Sequence, residues 1–385
     1  MEMRENEKDT WWLRKRPELL RIADQNLNAY VYDLASIESA AHDLLSMKSI
    51  TRVLYAVKAN FNADVLRTLA KCGVDFDCVS PGEVERLRQV LPDRGKGRIL
   101  FTPNFAPRDE YEWALREGLR VTLDNLYPLR AWADLFNGQE IFIRLDPNQG
   151  GGHHEHVVTV GSRSKFGISL AEVDELERLV KAANASVTGI HAHSGSGILE
   201  PKNWHAVATA LLLAARRFPE VKVLDLGGGI GVPNTRDGAA FDLQALDQLL
   251  TDFAKDNPQY ELWLEPGRYL VAVAGVLLAH VTQLKGKAEH QYVGVSTGMN
   301  ALIRPALYNA YHEIVNLSRI DEAASQTVTV VGPICESGDK LGSDRPFPVS
   351  LENDVVLIAN VGAYGHVMSS RYNLRATPPE IVIEA

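Results

Sequence analysis

Residues 54–60, LYAVKAN, set one lysine, Lys58, among apolar neighbours. Desolvation there would lower the pKa of its amine and make it a nucleophile toward a carbonyl. Residues 224–232, LDLGGGIGV, run a β-like segment into Gly227, Gly228 and Gly229. Consecutive glycines let backbone N–H groups approach an anion such as a phosphate. The spacing is not that of a dinucleotide-binding turn, which needs a different glycine pattern and an acidic residue about 20 positions on. An aldehyde cofactor bearing a phosphate meets both demands, and pyridoxal 5'-phosphate is the candidate. Glu265, in EPGR, would then pair with the ring nitrogen and keep the ring an electron sink, while His193, in HAHSGSG, would lie against its face.

Such groups need a scaffold that brings distant segments together. From residue 53 the chain alternates short β-rich runs with amphipathic helical runs, and eight β-rich runs are followed in this way, ending at YELWLEPG. Regular alternation predicts parallel strands with crossover helices, and eight repeats is the number that closes a (β/α)8 TIM-type barrel; an open doubly wound sheet is the alternative. In a barrel, chemistry gathers at the C-terminal strand ends. Those ends carry Lys58, Asp77 with Ser80, His191 with His193, Gly227–Gly229, and Glu265 with Arg268. After residue 272 the pattern changes to strands separated by turns, which predicts a second, mostly β domain. The expected division is an α/β barrel over 30–272, with 1–29 and 273–385 forming the β-rich part.

The totals bound the partners. Hydrophobic residues make up 45% and charged residues 23%, as in an ordinary globular protein, and a net charge of -9 offers no basic face for nucleic acid. No apolar run reaches the roughly 18 residues that span a bilayer, and the start of the chain is charged. A cytoplasmic protein with a small-molecule partner is expected. Cys72, Cys78 and Cys335 lack zinc-type spacing, so free thiols are expected. His153, His154 and His156 sit in the long glycine-rich loop 147–164, read as a loop ordered by substrate or partner rather than a metal site. No metal is expected.

Taken in order, YAVKAN, HAHSGSG, DLGGGIG, EPGR, CESGD and GAYG resemble the fold-type III, alanine-racemase-like pyridoxal-phosphate decarboxylases over nearly the whole chain. Within that family, GMNALIRPALYNAYHEI, VGPICESGDKLG and SRYNLR are more similar to the branch acting on diaminopimelate than to the ornithine or arginine branches. The likeness extends to the decarboxylase half of bifunctional aspartate kinase/diaminopimelate decarboxylases, which would make the polar start a linker and a fused kinase domain a natural partner. The resemblance implies that Lys58 holds the cofactor and that His193 stacks on its ring. Ser196, Gly228, Gly229, Glu265, Gly267, Arg268 and Tyr364 would hold its phosphate and ring nitrogen, with Asp77 supporting them from behind. Arg268, Arg304, Tyr308 and Tyr364 would bind the substrate, and Glu336 would grip its distal amino group. Cys335 would protonate the carbon that loses carbon dioxide. Cys335 and Glu336 would come from the neighbouring subunit, so a homodimer with shared active sites is implied.

The implied reaction is decarboxylation of meso-2,6-diaminopimelate to L-lysine, the last step of lysine biosynthesis. Such a substrate has two amino acid ends, and holding one while reacting at the other needs cations beside an acid, which IRPALY and CES provide. Two departures leave another basic substrate, such as D-lysine or D-ornithine, in play. His193-Ser194-Gly195-Ser196-Gly197 stands where many relatives read HIGSQ, and Ala301 stands where an acidic residue often precedes LIRP. A racemase would carry a catalytic tyrosine in place of the Cys335 region. A non-catalytic regulatory homologue would be expected to have lost the lysine, the cysteine or the arginines, and all are present.

Overall fold

The computed structural model describes residues 10–93, 95–147 and 164–384; the histidines at 153, 154 and 156 lie outside the described residues. The chain forms two compact units, one of residues Glu38–Gly231 and Phe241–Tyr269, the other of Met1–Ile37, Val232–Ala240 and Leu270–Ala385.

Among the described residues of the first unit, eight parallel strands follow one another round the sheet: β1 (Arg52–Ala56), β2 (Asp75–Cys78), β3 (Ile99–Phe101), β4 (Arg120–Leu123), β5 (Glu140–Asp146), β6 (Ser186–His191), β7 (Val223–Asp225) and β8 (Glu261–Leu264). Each pairs with the next, and β8 returns to β1 through Trp263↔Arg52 and Leu264↔Val53. The sheet is therefore a closed barrel, which rules out the open doubly wound alternative. A two-residue strand, Ile168–Ser169, adds to β5.

Local chemistry sets each βα unit. In the first, Asn62 accepts from the backbone N–H of Asp64, Gly73 ends the helix Ala63–Cys72 at φ 99°, and Val65, Leu66 and Leu69 are its buried face. Inside the barrel, Leu54, Leu100, Phe142 and Val223, from the odd-numbered strands, form one layer with Trp263. Phe142 occupies space that exists because β6 carries Gly189, where a Cβ would collide with the phenyl ring. The guanidinium of Arg52 lies 4.7 Å from the Trp263 ring centre, and that of Arg120 lies 5.2 Å from the Phe142 ring centre. Aromatic rings with guanidinium planes laid over them fill this end of the barrel.

The second unit is built on an eight-stranded sheet. Its long strand Gly275–Lys287 pairs antiparallel with Asn28–Asp33 and Val355–Ile358 over its first half and with His290–Val295 over its second, the register shifting between Val281 and Gln283. The pairing of Asn28–Asp33 groups residues 30–37 with the β-rich unit rather than the barrel. The helix Arg16–Gln25 and the turn Trp11–Arg14 before it pack on this sheet, with Trp11, Trp12 and Leu19 buried against Val276, Leu278 and Leu357. From Trp11 onward the start of the chain is structure, not linker, because two buried indoles cannot be left in water. No helix among the described residues is long and apolar enough to cross a membrane.

Candidate active site

At the C-terminal ends of the barrel strands the structure assembles Lys58, Asp77, His193, Ser196, Gly228, Gly229, Glu265, Gly267 and Arg268 within one unit. Strand β1 stops at Ala56, and Lys58 sits on the 3₁₀ turn Val57–Ala59. The turn lifts the lysine out of the strand while Val57 and Ala59 stay buried. The sequence reading of Lys58 as a desolvated amine is corrected here: its side chain is 42% exposed and its Nζ lies 3.3 Å from Asp77 Oδ2. Asp77 itself is buried at the end of β2, and Ser80 caps the next helix, Pro81–Val90.

The glycines make room for backbone packing. A Cβ on Gly228 would strike the Glu265 carbonyl oxygen, and one on Gly229, at φ 98°, would lie 2.5 Å from the Gly195 carbonyl oxygen. The Gly228 N–H donates to His193 Nδ1 at 3.1 Å, so that glycine orients the imidazole. Arg268 Nη2 donates to Ser196 Oγ at 3.0 Å, joining two residues expected near the phosphate.

Electrostatics separate the carboxylates. Glu265 is buried, which alone would raise its pKa, but the His191 ring opposite it (Nε2–Oε2 2.9 Å) and then the Lys58 ammonium reverse this and hold it below the usual carboxylate range. Burial and the neighbouring Glu265 push Asp225 well up, and they raise Asp77 against the pull of Lys58. Of the three, Glu265 is the carboxylate held below the usual range, and its Oε1 is buried with no hydrogen-bond partner. Burial, with the cations of Arg144 and Lys58, pushes His193 well below the ordinary imidazole value. Its neutral state agrees with the lone pair that Nδ1 must offer to Gly228 N–H.

These residues fit pyridoxal phosphate. The unpartnered Glu265 oxygen suits a protonated ring nitrogen, the Arg268 guanidinium beside Ser196 Oγ suits a phosphate, and Lys58 stands where an aldehyde can be reached.

The β-rich unit carries the remaining predicted residues. Arg304 and Tyr308 bound one five-residue helix, and the Arg304 side chain is buried. Cys335 and Glu336 are exposed on a loop that Asp339 pins by accepting from Ile334 N–H and Met299 N–H, each at 2.6 Å. Cys335 N–H donates to Asn373 Oδ1 at 2.8 Å, and the Tyr372 hydroxyl donates to Glu336 Oε1. Tyr364 is half-buried with a left-handed backbone, φ 57°.

Four groups to which the sequence reading gave no role, His191 among them though named at its strand end, complete the barrel mouth. His191 and Asp225 flank Glu265, and Arg144 lies 3.5 Å from Asp124 and 4.6 Å from the Phe166 ring centre. Glu83 accepts from Val79 N–H at 2.8 Å, with its pKa pushed up to about 7 by burial and by Asp77. SPGE, a capping pattern with serine three residues before glutamate, was the signal for Glu83. The others are internal strand-end residues whose partners come from other strands. His191, Asp225 and Glu265 offer ligand atoms within 4.8 Å of one another, with His191 Nε2 2.9 Å from Glu265 Oε2.

Comparison with known proteins agrees with this geometry. The family "Pyridoxal-dependent decarboxylase, pyridoxal binding domain" matches residues 34–272. A diaminopimelate decarboxylase of Methanothermobacter thermautotrophicus is 38% identical over 344 residues, covering 86% of this chain and 80% of that protein. One from Archaeoglobus fulgidus is 35% identical over 367 residues, covering 92% and 87%. Among solved structures, the Helicobacter pylori diaminopimelate decarboxylase complexed with L-lysine superimposes with a TM-score of 0.84 at 28% identity, covering 93% of this chain and 91% of that one. A match that runs the length of the barrel, on a barrel whose mouth fits the cofactor, makes this chain a member of the pyridoxal-dependent decarboxylases.

Proposed function

We propose that this chain releases carbon dioxide from meso-2,6-diaminopimelate and leaves L-lysine. The observation that carries the chemistry is the charged Glu265 carboxylate with its buried, unpartnered Oε1 at the barrel mouth. Relatives named as diaminopimelate decarboxylases support the substrate. Bound at the barrel mouth, pyridoxal phosphate would supply an electron sink for the bond that breaks.

The chain's own residues do the rest. Lys58 Nζ holds the cofactor, and Asp77 Oδ2, 3.3 Å away, is placed to take and return the proton that Nζ must shed. Glu265 Oε1 would accept from the ring nitrogen. Arg268, Ser196, Gly229 and Tyr364 would hold the phosphate, and neutral His193 would back the ring without adding a charge. The guanidinium of Arg304 and the hydroxyl of Tyr308 bind the distal carboxylate, and Glu336 binds the distal ammonium. When carbon dioxide leaves, the Cys335 thiol gives its proton to the carbon that carried it and recovers one from water. The exposure of Cys335 and Glu336 supports a homodimer in which their loop completes a neighbouring subunit's site.

The two departures from the family pattern read as packing. Ser194 is fully buried and its Oγ accepts from Asn203 Nδ2 at 2.7 Å; Ala301 is fully buried and its carbonyl accepts from the Tyr30 hydroxyl at 2.6 Å. The test is carbon dioxide release by the holoenzyme offered meso-diaminopimelate, D-lysine, D-ornithine, L-lysine and L-ornithine. Preference for meso-diaminopimelate is expected; preference for a substrate without the distal carboxylate would keep the reaction and overturn the role of Arg304.

A further inference from the structure

The Arg304 guanidinium is buried, and one of its contacts is with another fully buried side chain, His312, whose Nε2 lies 3.3 Å from Arg304 Nη1. The other ring nitrogen, Nδ1, lies 2.8 Å from the Ala359 carbonyl oxygen. A carbonyl oxygen can only accept, so Nδ1 carries the hydrogen. In the neutral ring Nε2 then holds a lone pair, and that lone pair faces the Arg304 N–H. The protonated ring would instead oppose two donors.

The ring is fixed from both sides. Ala359 N–H donates to the Glu313 carbonyl at 2.9 Å, tying the residue after His312 to the strand end that supplies the Nδ1 acceptor. The Glu313 carboxylate accepts from the Arg236 backbone N–H at 2.9 Å and lies 3.1 Å from Arg236 Nε. A carboxylate in the place of His312 would also accept from Arg304, but it would cancel the charge that an incoming anion needs. An imidazole lone pair satisfies one N–H and leaves the positive charge in place.

We propose that His312 is a positioning residue for Arg304: locked by Ala359 as the Nδ1–H form, it presents Nε2 to the guanidinium and aims it, still fully charged, at the distal carboxylate of the substrate. This rests on the reading of Arg304 as the distal-carboxylate residue. It makes His312 a determinant of selectivity between ligands with and without that carboxylate, through Arg304 and not by contact.

The experiment measures competition by L-lysine, which keeps the distal carboxylate, and by 1,5-diaminopentane, which lacks it, against substrate on the pyridoxal-phosphate-loaded enzyme. His312→Asn keeps a donor for the Ala359 carbonyl and withdraws the acceptor from Arg304; His312→Gln can keep that acceptor. In His312→Asn, L-lysine should bind about ten- to a hundredfold more weakly, the range for a hydrogen bond to a charged group, while diaminopentane changes less than about twofold. The KM for meso-diaminopimelate should rise with it while kcat holds, and His312→Gln should restore L-lysine binding to within about threefold. Equal weakening of both ligands, equal loss in Asn and Gln variants, or unchanged L-lysine binding in His312→Asn would each overturn the proposal. If His312→Asn does not fold, His312→Leu in the same assay decides, again with His312→Gln as the rescue. Arg304→Gln is the companion variant. Should it leave L-lysine binding intact, the Arg304 assignment is the step that fails; should it weaken L-lysine while His312→Asn does not, only the role of His312 falls.

Discussion

His191 Nε2 and Glu265 Oε2 meet at 2.9 Å inside the barrel, and both side chains are buried. The pair comes from the ends of β6 and β8, the two strands that flank β7, so the strand order of the sheet brings it together. It leaves Glu265 charged while Asp77 and Asp225 around it are pushed toward their protonated forms. One oxygen of Glu265 is engaged and the other is available to a ring nitrogen.

Glu265→Gln removes that charge while keeping size and shape. It should lower kcat by about 10²–10³-fold, the scale for losing one preorganised electrostatic group. Cofactor bound through Lys58 should remain visible by absorption. His191→Gln should show a smaller loss in the same assay, because it acts through Glu265. Steady-state kinetics with absorption spectra check both.

The pKa of His193 is depressed in the fold, so the unfolded chain binds a proton near pH 6.5 that the folded chain does not. The corresponding stability is fully present above the unfolded value and is lost as pH falls toward the folded one. Thermal unfolding of cofactor-free protein between about pH 7.5 and 5.5 should show stability falling by up to about 1.4 kcal/mol per pH unit from this group. His193→Phe should flatten that part of the slope, and an unchanged slope would mean that His193 is not buried neutral.

Gly189→Ala places a methyl group against the Phe142 ring, whose centre lies 5.5 Å from that of Trp263. Overpacking of this kind costs about 1–3 kcal/mol. Chemical denaturation should show that loss, and Phe142→Leu in the same chain should recover part of it. An additive double mutant would mean that the two positions do not share the space.

Exposed Cys335 bears on assembly. Lys58→Ala and Cys335→Ala should each be inactive toward diaminopimelate. If the Cys335 loop completes a neighbouring subunit's site, an equal mixture allowed to exchange subunits should regain about a quarter of wild-type activity, because half the dimers are mixed and each of these holds one intact site. A mixture as inactive as its components would place both residues in sites built by one chain.

Sequence alone determined the eight-fold βα alternation, because burial on both faces of parallel strands and on one face of each helix writes itself into local periodicity. It also singled out Lys58, the Gly227–Gly229 run and Glu265 as candidates, since residue type and spacing suggest their chemistry. Tertiary structure decided what depends on partners distant in the chain. The closure of β8 on β1 makes a barrel of the alternation. A sheet partner at Gly275–Lys287 takes Asn28–Asp33 into the β-rich unit. The short turn at Val57–Ala59 swings Lys58 out of a stretch that reads as a continuous buried strand, toward Asp77. Asp225 looks like an ordinary strand residue in the sequence, His191 like one polar strand end among several, and His312 like one polar residue in a loop. Their roles follow from the carboxylate or guanidinium each one faces, and a facing group across a fold leaves no mark on local sequence.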